Sequence, residues 1–263
     1  MNRIDATFKR LRRLKEKALV TFITAGDPDL ATSEKLVREF SRQGADIVEL
    51  GVPFSDPLAD GPTIQASAQR ALKKGVNLDA VCVLVKKIRH FTQIPIVFLT
   101  YYNIVYHYGV ERFVKKAKAS GADGAVIPDL PVEEAAELIK AAKRYHFATI
   151  FLLAPTSDTK RIKAVAAKSS GFIYYVSLTG TTGVRTQLPV ELIGNVRKIK
   201  RITAKPVCVG FGVSTPLQAK AIARVADGVI VGSAIVEVIA RNLRKRTLVA
   251  STGKFVRKLR NSL

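Results

Sequence analysis

Short β-branched or aromatic runs alternate with longer amphipathic stretches along the chain, and this alternation restricts the fold more than any other feature. The runs that read as strands are Ala18–Thr24, Ile47–Leu50, Ile96–Tyr101, Gly124–Ile127, Ala148–Leu153, Phe172–Ser177, Val207–Gly210 and Gly228–Val231. Helical patterns lie between them over Leu30–Gln43, Leu78–His90, Glu111–Ala119, Val132–Tyr145, Lys160–Ala167, Leu192–Ile202 and Pro216–Ala223, with a further helix starting near Thr63. Strict alternation of this kind implies an α/β fold with a parallel sheet covered by helices. Eight units in a chain of 263 residues fit a closed (β/α)8 TIM barrel better than an open doubly wound sheet. The open sheet stays as the alternative, because periodicity alone does not show closure. No Pro- or Ser-rich linker interrupts the rhythm, so a single domain is expected. It would comprise an N-terminal amphipathic helix over 1–17, the barrel over 18–242 and a basic helix or tail over 243–263.

Charge is uneven. The chain carries 43 Lys and Arg against 21 Asp and Glu, a formal +22, of which residues 1–17 supply a net +5 and residues 241–263 a net +8. Such ends can attract nucleic acid or anionic lipid. Ile4, Phe8 and Leu11 recur at helical spacing, however, which puts the N-terminal charges on the wet side of an amphipathic helix. There are no interleaved aromatics to stack on bases and no nucleic-acid motif, so no specific nucleic-acid partner is expected. No apolar run approaches the roughly 18 residues of a membrane span. The basic N-terminus lacks the apolar core and cleavage site of a secretory signal. Cys82 and Cys208 each lie in an apolar stretch and are expected to be buried free thiols. These features suit a cytoplasmic protein without membrane contact.

A barrel demands that its active groups lie at the C-terminal ends of strands and in the loops that follow. Glu49 is such a group. In Asp46-Ile47-Val48-Glu49-Leu50 it shares a face with Ile47, while Val48 and Leu50 suit the helix-packed outside. A carboxylate inside the barrel mouth resists ionisation, and a pKa raised towards neutrality suits proton transfer in both directions. The alternative is a buried Glu satisfied by backbone or a Lys. The loop from Gly51 to Pro62 holds three prolines and two glycines, and Asp60 within it can reach back over the mouth. Taken singly, Asp60 reads equally as an N-cap for the next helix and Asp56 as a turn residue. Together, Glu49 and Asp60 form a candidate acid/base pair.

Three glycine turns follow late strands: Gly180-Thr181-Thr182-Gly183, Gly210-Phe211-Gly212 and Gly232-Ser233. Glycines let backbone N–H groups approach an anion, and Ala234–Ile239 reads as a short helix whose N-terminus faces the same spot. The three turns point to a phosphorylated small molecule. Thr215 stands where a dinucleotide fingerprint needs its third glycine, so that motif is absent. Phe22, Leu99, Val126 and Tyr174, near strand ends, are either pocket walls for a flat apolar group or ordinary barrel core. His90, His107 and His146 fall in helical or loop segments and show no ligand spacing.

Several of these segments resemble one family. Thr24-Ala25-Gly26-Asp27-Pro28, Glu49-Leu50-Gly51-Val52-Pro53-Phe54-Ser55-Asp56-Pro57, Asp60-Gly61-Pro62-Thr63-Ile64-Gln65 and Gly210-Phe211-Gly212 are similar to the tryptophan synthase α chain. Asp129-Leu130-Pro131 and the stretch from Tyr174 to Gly183 agree with it, and the likeness runs from about Ala18 to Asn242. It implies a carbon–carbon lyase of tryptophan biosynthesis that splits indole-3-glycerol phosphate into indole and glyceraldehyde 3-phosphate. By that resemblance Glu49 is the general acid/base and Asp60 holds the indole N–H. Gly183, Gly212, Gly232 and Ser233 hold the phosphate, and Phe22, Leu99, Tyr174 and Thr182 shape the indole pocket. No metal or organic cofactor is implied on this chain; the partner implied is the pyridoxal-phosphate-bearing β chain, in an α2β2 heterotetramer. A stand-alone indole-releasing lyase independent of a β chain is the alternative. The chain departs from the family at Asn103, followed here by Ile104 rather than the common proline, and in its heavier basic tail.

Overall fold

Side-chain parity along the strands builds the centre of this molecule. The strands are β1 (Ala18–Thr24), β2 (Ile47–Gly51), β3 (Ile96–Leu99), β4 (Gly124–Val126), β5 (Ala148–Ile150), β6 (Leu152–Leu153), β7 (Ile173–Val176), β8 (Val207–Gly210) and β9 (Gly228–Val231). They belong to a computed structural model that describes residues 2–176, 190–210 and 212–263. All pair in parallel, in the order β5-β4-β3-β2-β1-β9-β8-β7-β6. β5 and β6 are consecutive halves of one run, parted at Phe151, whose carbonyl accepts from the N–H of Tyr174 at 3.1 Å. The two ends of the order are therefore the same stretch of chain, and the sheet closes. The open-sheet alternative falls.

Alternate residues face alternate cores. Val20, Ile47, Val97, Val126, Ile150, Tyr174, Cys208 and Ile230 fill the interior, while Leu19, Val48, Leu50, Phe98, Tyr175 and Val209 pack outward under the helices. The helix α1 (Arg3–Leu14), capped by the Asn2 side chain on the N–H of Ile4, sends Ile4, Phe8 and Leu11 into the interior set. Phe8 meets the ring of Phe172 at 5.9 Å. The amphipathic stripe expected at the N-terminus thus plugs the barrel floor.

The outer layer is α2 (Leu30–Arg42), α3 (Pro62–Leu72), α4 (Leu78–Arg89), α5 (Tyr102–Tyr108), α6 (Val110–Ser120), α7 (Ala136–Arg144), α8 (Thr159–Lys168), α9 (Val190–Ile202), α10 (Pro216–Ala223), α11 (Ser233–Ala240) and α12 (Leu248–Arg260). The strand pattern expected through Tyr101 stops at Leu99, because Tyr101 is the N-cap of α5 instead; the N–H of Tyr102 is capped by the carboxylate of Asp129 at 2.9 and 3.0 Å. Of the helix or tail expected at the C-terminus, a packed helix forms. Gly253 of α12 lies so close to α2 that an added Cβ would stand 2.5 Å from the Glu39 Cγ. Thr215, in the place of the missing third glycine, forms a capping box with Gln218 at the start of α10.

One device recurs on the floor. Asp46, Asp123 and Asp227 each stand just before a strand, and each accepts an N–H in the first two residues of a neighbouring strand: Leu19 at 3.0 Å, Ile96 at 2.9 Å and Val207 at 3.0 Å. Each also pairs with cations from elsewhere: Arg10 and Arg260 on Asp46, Arg3 and Arg89 on Asp123, Lys200 on Asp227. Part of the positive charge at the chain ends is thus spent on holding the barrel floor.

Candidate active site

At the opposite end, the C-terminal ends of the strands surround a cleft of about 260 Å³. Glu49 enters it from β2, in register with Phe22 of β1 and Val97 of β3. It is 2% exposed, and among the described residues its Oε1 has no hydrogen-bond partner. The Glu satisfied by backbone or lysine is therefore not what forms at that oxygen. Burial, and secondarily the charge of Asp60, push the Glu49 carboxyl up to about 8.

Asp60 arrives from the loop after β2. Gly61, not Asp60, is the N-cap of α3, so the capping role is excluded. Burial pushes the Asp60 carboxyl up to about 6, and a hydrogen bond from the Tyr101 hydroxyl opposes that rise. The same hydroxyl accepts the N–H of Ala59 at 3.2 Å, and its ring stacks on Phe54 at 5.2 Å. Asp56 is an exposed turn residue bonded to the Ser55 hydroxyl. The loop is also braced behind α3, where Arg70 holds buried Asp27 at 2.6 and 2.8 Å.

Phe22, Leu99 and Tyr174 line the same cleft, and so do Gly212, Gly232 and Ser233. Gly212 takes a φ of 78°, open to glycine, and Gly232 is the N-cap of α11. In the first turn of α11 the N–H of Ile235 bonds back to the Gly232 carbonyl at 2.8 Å, while Ser233 and Ala234, ahead of it, stand on the cleft wall, where helix N-terminal N–H groups can meet an anion. Thr182 and Gly183 lie outside the described residues. Val126 is not on the cleft wall; it is fully buried in the barrel interior, so core packing is its role. Ile64, Ile230, Val213 and Glu237 also line the cleft, and sequence reasoning missed them. For Ile64 the signal was available, as an apolar residue in the first turn of the helix after the acidic loop.

The arrangement separates two carboxyls chemically. Near neutral pH Glu49 holds its proton and Asp60 has lost it, so one cleft offers a proton donor and an anion side by side. Apolar rings form one wall, and glycine turns with a helix N-terminus form another.

Comparison with known proteins agrees with that chemistry. The family model of the tryptophan synthase alpha chain matches residues 8–263. The tryptophan synthase alpha chain of Geotalea daltonii is 56% identical over 236 residues, which covers 90% of this chain and 89% of that protein. That of Geotalea uraniireducens is 53% identical over 260 residues, with 99% and 97% covered. Among solved structures, tryptophan synthase subunit alpha of Legionella pneumophila superposes with a TM-score of 0.93 at 34% identity, over 100% of this chain and 98% of that one. A chain of the tryptophan synthase α2β2 complex of Pyrococcus furiosus gives 0.87 at 41% identity, over 92% and 97%. With sequence, barrel and cleft in agreement along nearly the full length, the chain belongs to the tryptophan synthase α chain family.

Proposed function

We propose that Glu49 and Asp60 carry the reaction of this family, the retro-aldol cleavage of indole-3-glycerol phosphate to indole and glyceraldehyde 3-phosphate. Glu49 enters as a neutral acid and gives its proton to the ring carbon that bears the glycerol chain. The ring becomes an iminium cation, and the Asp60 carboxylate, bonded to the indole N–H, offsets that charge. The Glu49 carboxylate then takes the proton of the hydroxyl on the adjacent chain carbon. The electrons of that O–H bond form the carbonyl, the carbon–carbon bond breaks, and its electron pair neutralises the ring. Glu49 ends protonated, as it began.

Phe22, Leu99 and Tyr174 sandwich the indole, and Gly212, Gly232 and Ser233 hold the phosphate through N–H groups and the α11 N-terminus. The parts given to Thr182 and Gly183 rest on the family resemblance alone. The observation that carries this reading is Glu49 itself, a buried carboxyl on the wall of a cleft that it shares with Asp60, with one oxygen that has no partner among the described residues. Glu49→Gln tests it: indole release falls by about 10²–10⁴-fold while the protein still folds. Retained turnover overturns the assignment.

In this reading the partner is the β chain, which bears the pyridoxal phosphate, in a cytoplasmic α2β2 heterotetramer. Leu58, 96% exposed, and Tyr106, 68% exposed, stand on the loop after β2 and on α5. Exposed apolar side chains such as these are what a partner chain would cover. The stand-alone lyase is not favoured, since the relatives are tryptophan synthase chains. No helix among the described residues is long and apolar enough to cross a membrane.

A further inference from the structure

The cleft that receives a phosphate is acidic. Among the described residues lining it are three carboxyl side chains, the neutral Glu49 and the charged Asp60 and Glu237, and no Lys or Arg. Glu49 and Asp60 have the roles given above; Glu237 has none. It lies on α11 four residues after Ser233, hence on the same face and roughly 6 Å further along the axis. Helical side chains lean towards the N-terminus, so its carboxylate is carried towards the phosphate seat. Arg241, one turn further on, pairs with that carboxylate from behind. The order along this face is therefore helix N-terminus, carboxylate, guanidinium.

We propose that Glu237 sets how tightly the cleft holds a phosphomonoester dianion. Its negative charge opposes the pull of the α11 N-terminus, which amounts to roughly half a positive charge. Arg241 partly neutralises it and so limits the opposition. A phosphate held too firmly binds substrate and transition state alike, and slows departure of the phosphorylated product without speeding bond cleavage. Glu237 is thus a residue that tunes affinity rather than one that touches the reacting atoms. This inference rests on the assignment of the phosphate to Gly212, Gly232 and Ser233.

The test compares wild type, Glu237→Gln, Arg241→Ala and the double variant by calorimetry with two probes. Glycerol 3-phosphate carries the phosphate and does not react; indole carries the ring alone. Glu237→Gln binds glycerol 3-phosphate about threefold more tightly and Arg241→Ala about twofold more weakly, as expected for partly screened charges a turn apart. In the double variant the Arg241→Ala weakening disappears, because the carboxylate that it exposed is gone. Both single effects shrink near 1 M salt, where screening reaches about 3 Å. Indole affinity stays level throughout, whereas a merely structural disturbance moves it together with the phosphate probe. Unchanged or weaker glycerol 3-phosphate binding in Glu237→Gln overturns the proposal, as does a parallel change for indole. If wild type fails to bind glycerol 3-phosphate in competition with indole-3-glycerol phosphate, the phosphate assignment fails and takes this proposal with it. If wild type binds and Glu237→Gln changes nothing, only the proposal falls.

Discussion

The Tyr101 hydroxyl acts on the Asp60 carboxyl at the barrel mouth, and hydrogen bonding from the phenol lowers the pKa that burial raises. With the N–H of Ala59 on the same oxygen and Phe54 stacked on the ring, one tyrosine beyond β3 holds both ends of the acidic loop. Tyr101→Phe keeps the stacking and releases the carboxylate. The bond holds Asp60 below the value that burial alone would give, so its loss moves the pKa upward from about 6. The proposed mechanism needs Asp60 ionised. The acid limb of kcat/KM therefore shifts to higher pH, and kcat/KM near neutrality falls about tenfold for a lost hydrogen bond to a charged group. The pH profile of indole release measures this; an unmoved acid limb contradicts it.

Glu49 costs the fold stability near neutral pH. Its folded pKa of about 8 lies above the ordinary 4.5, so between those values the native state keeps a proton that the unfolded chain has released. The contribution of neutral Glu49 is fully present below about 4.5 and is lost as pH rises through about 8. Glu49→Gln removes that slope. The variant gains on wild type as pH rises, by a few kcal/mol near pH 9, since each unit is worth about 1.4 kcal/mol. The gap closes only below about pH 4.5, where both states hold the proton. Urea midpoints across this range measure the margin, and equal midpoints at every pH contradict the account.

What could be read in advance followed from local periodicity, and what could not followed from contacts between distant segments. Glu49 was legible because a strand has two faces and its neighbours Val48 and Leu50 claim the outer one. Asp60 was legible only beside Glu49, since its own context also suits a helix cap. Tyr101 was hidden, because its β-type context ran on from β3 and its hydroxyl acts on a loop 42 positions earlier. α5 was hidden for a like reason: its first N–H is capped by Asp129, 27 residues on, rather than by a neighbour. Ile4, Phe8 and Leu11 were legible as a stripe, but the barrel floor that receives the stripe exists only once the sheet has closed. Val126 was rightly placed on a strand, but whether it was pocket wall or barrel core stayed open, because facing inward does not say at which layer of the barrel a side chain lies; it is core.

Asp123 is the most heavily engaged of the three floor aspartates, and its loss gives the sharpest stability test. Its Oδ2 accepts from the N–H of Ile96 and from Arg89, both at 2.9 Å, and its Oδ1 accepts from Arg3 at 2.9 Å. Its backbone carbonyl takes the Asn2 side chain at 2.7 Å and the N–H of Ala148 at 2.8 Å. One residue thus ties α1, α4, β3 and β5 together. Asp123→Ala leaves a strand N–H unsatisfied and a half-buried Arg89 with only backbone carbonyls, which costs about 3–5 kcal/mol. Asp123→Asn keeps an acceptor for Ile96 but loses the charge, and so costs less. Asp158, the exposed N-cap of α8 on the N–H of Arg161 at 2.7 Å, is the reference; Asp158→Ala costs about 1 kcal/mol. The three are ranked by denaturant unfolding, and Asp123→Ala falling level with Asp158→Ala contradicts the role. Since the floor lies at the far end of the barrel from Glu49, the folded fraction of Asp123→Asn releases indole at the wild-type rate.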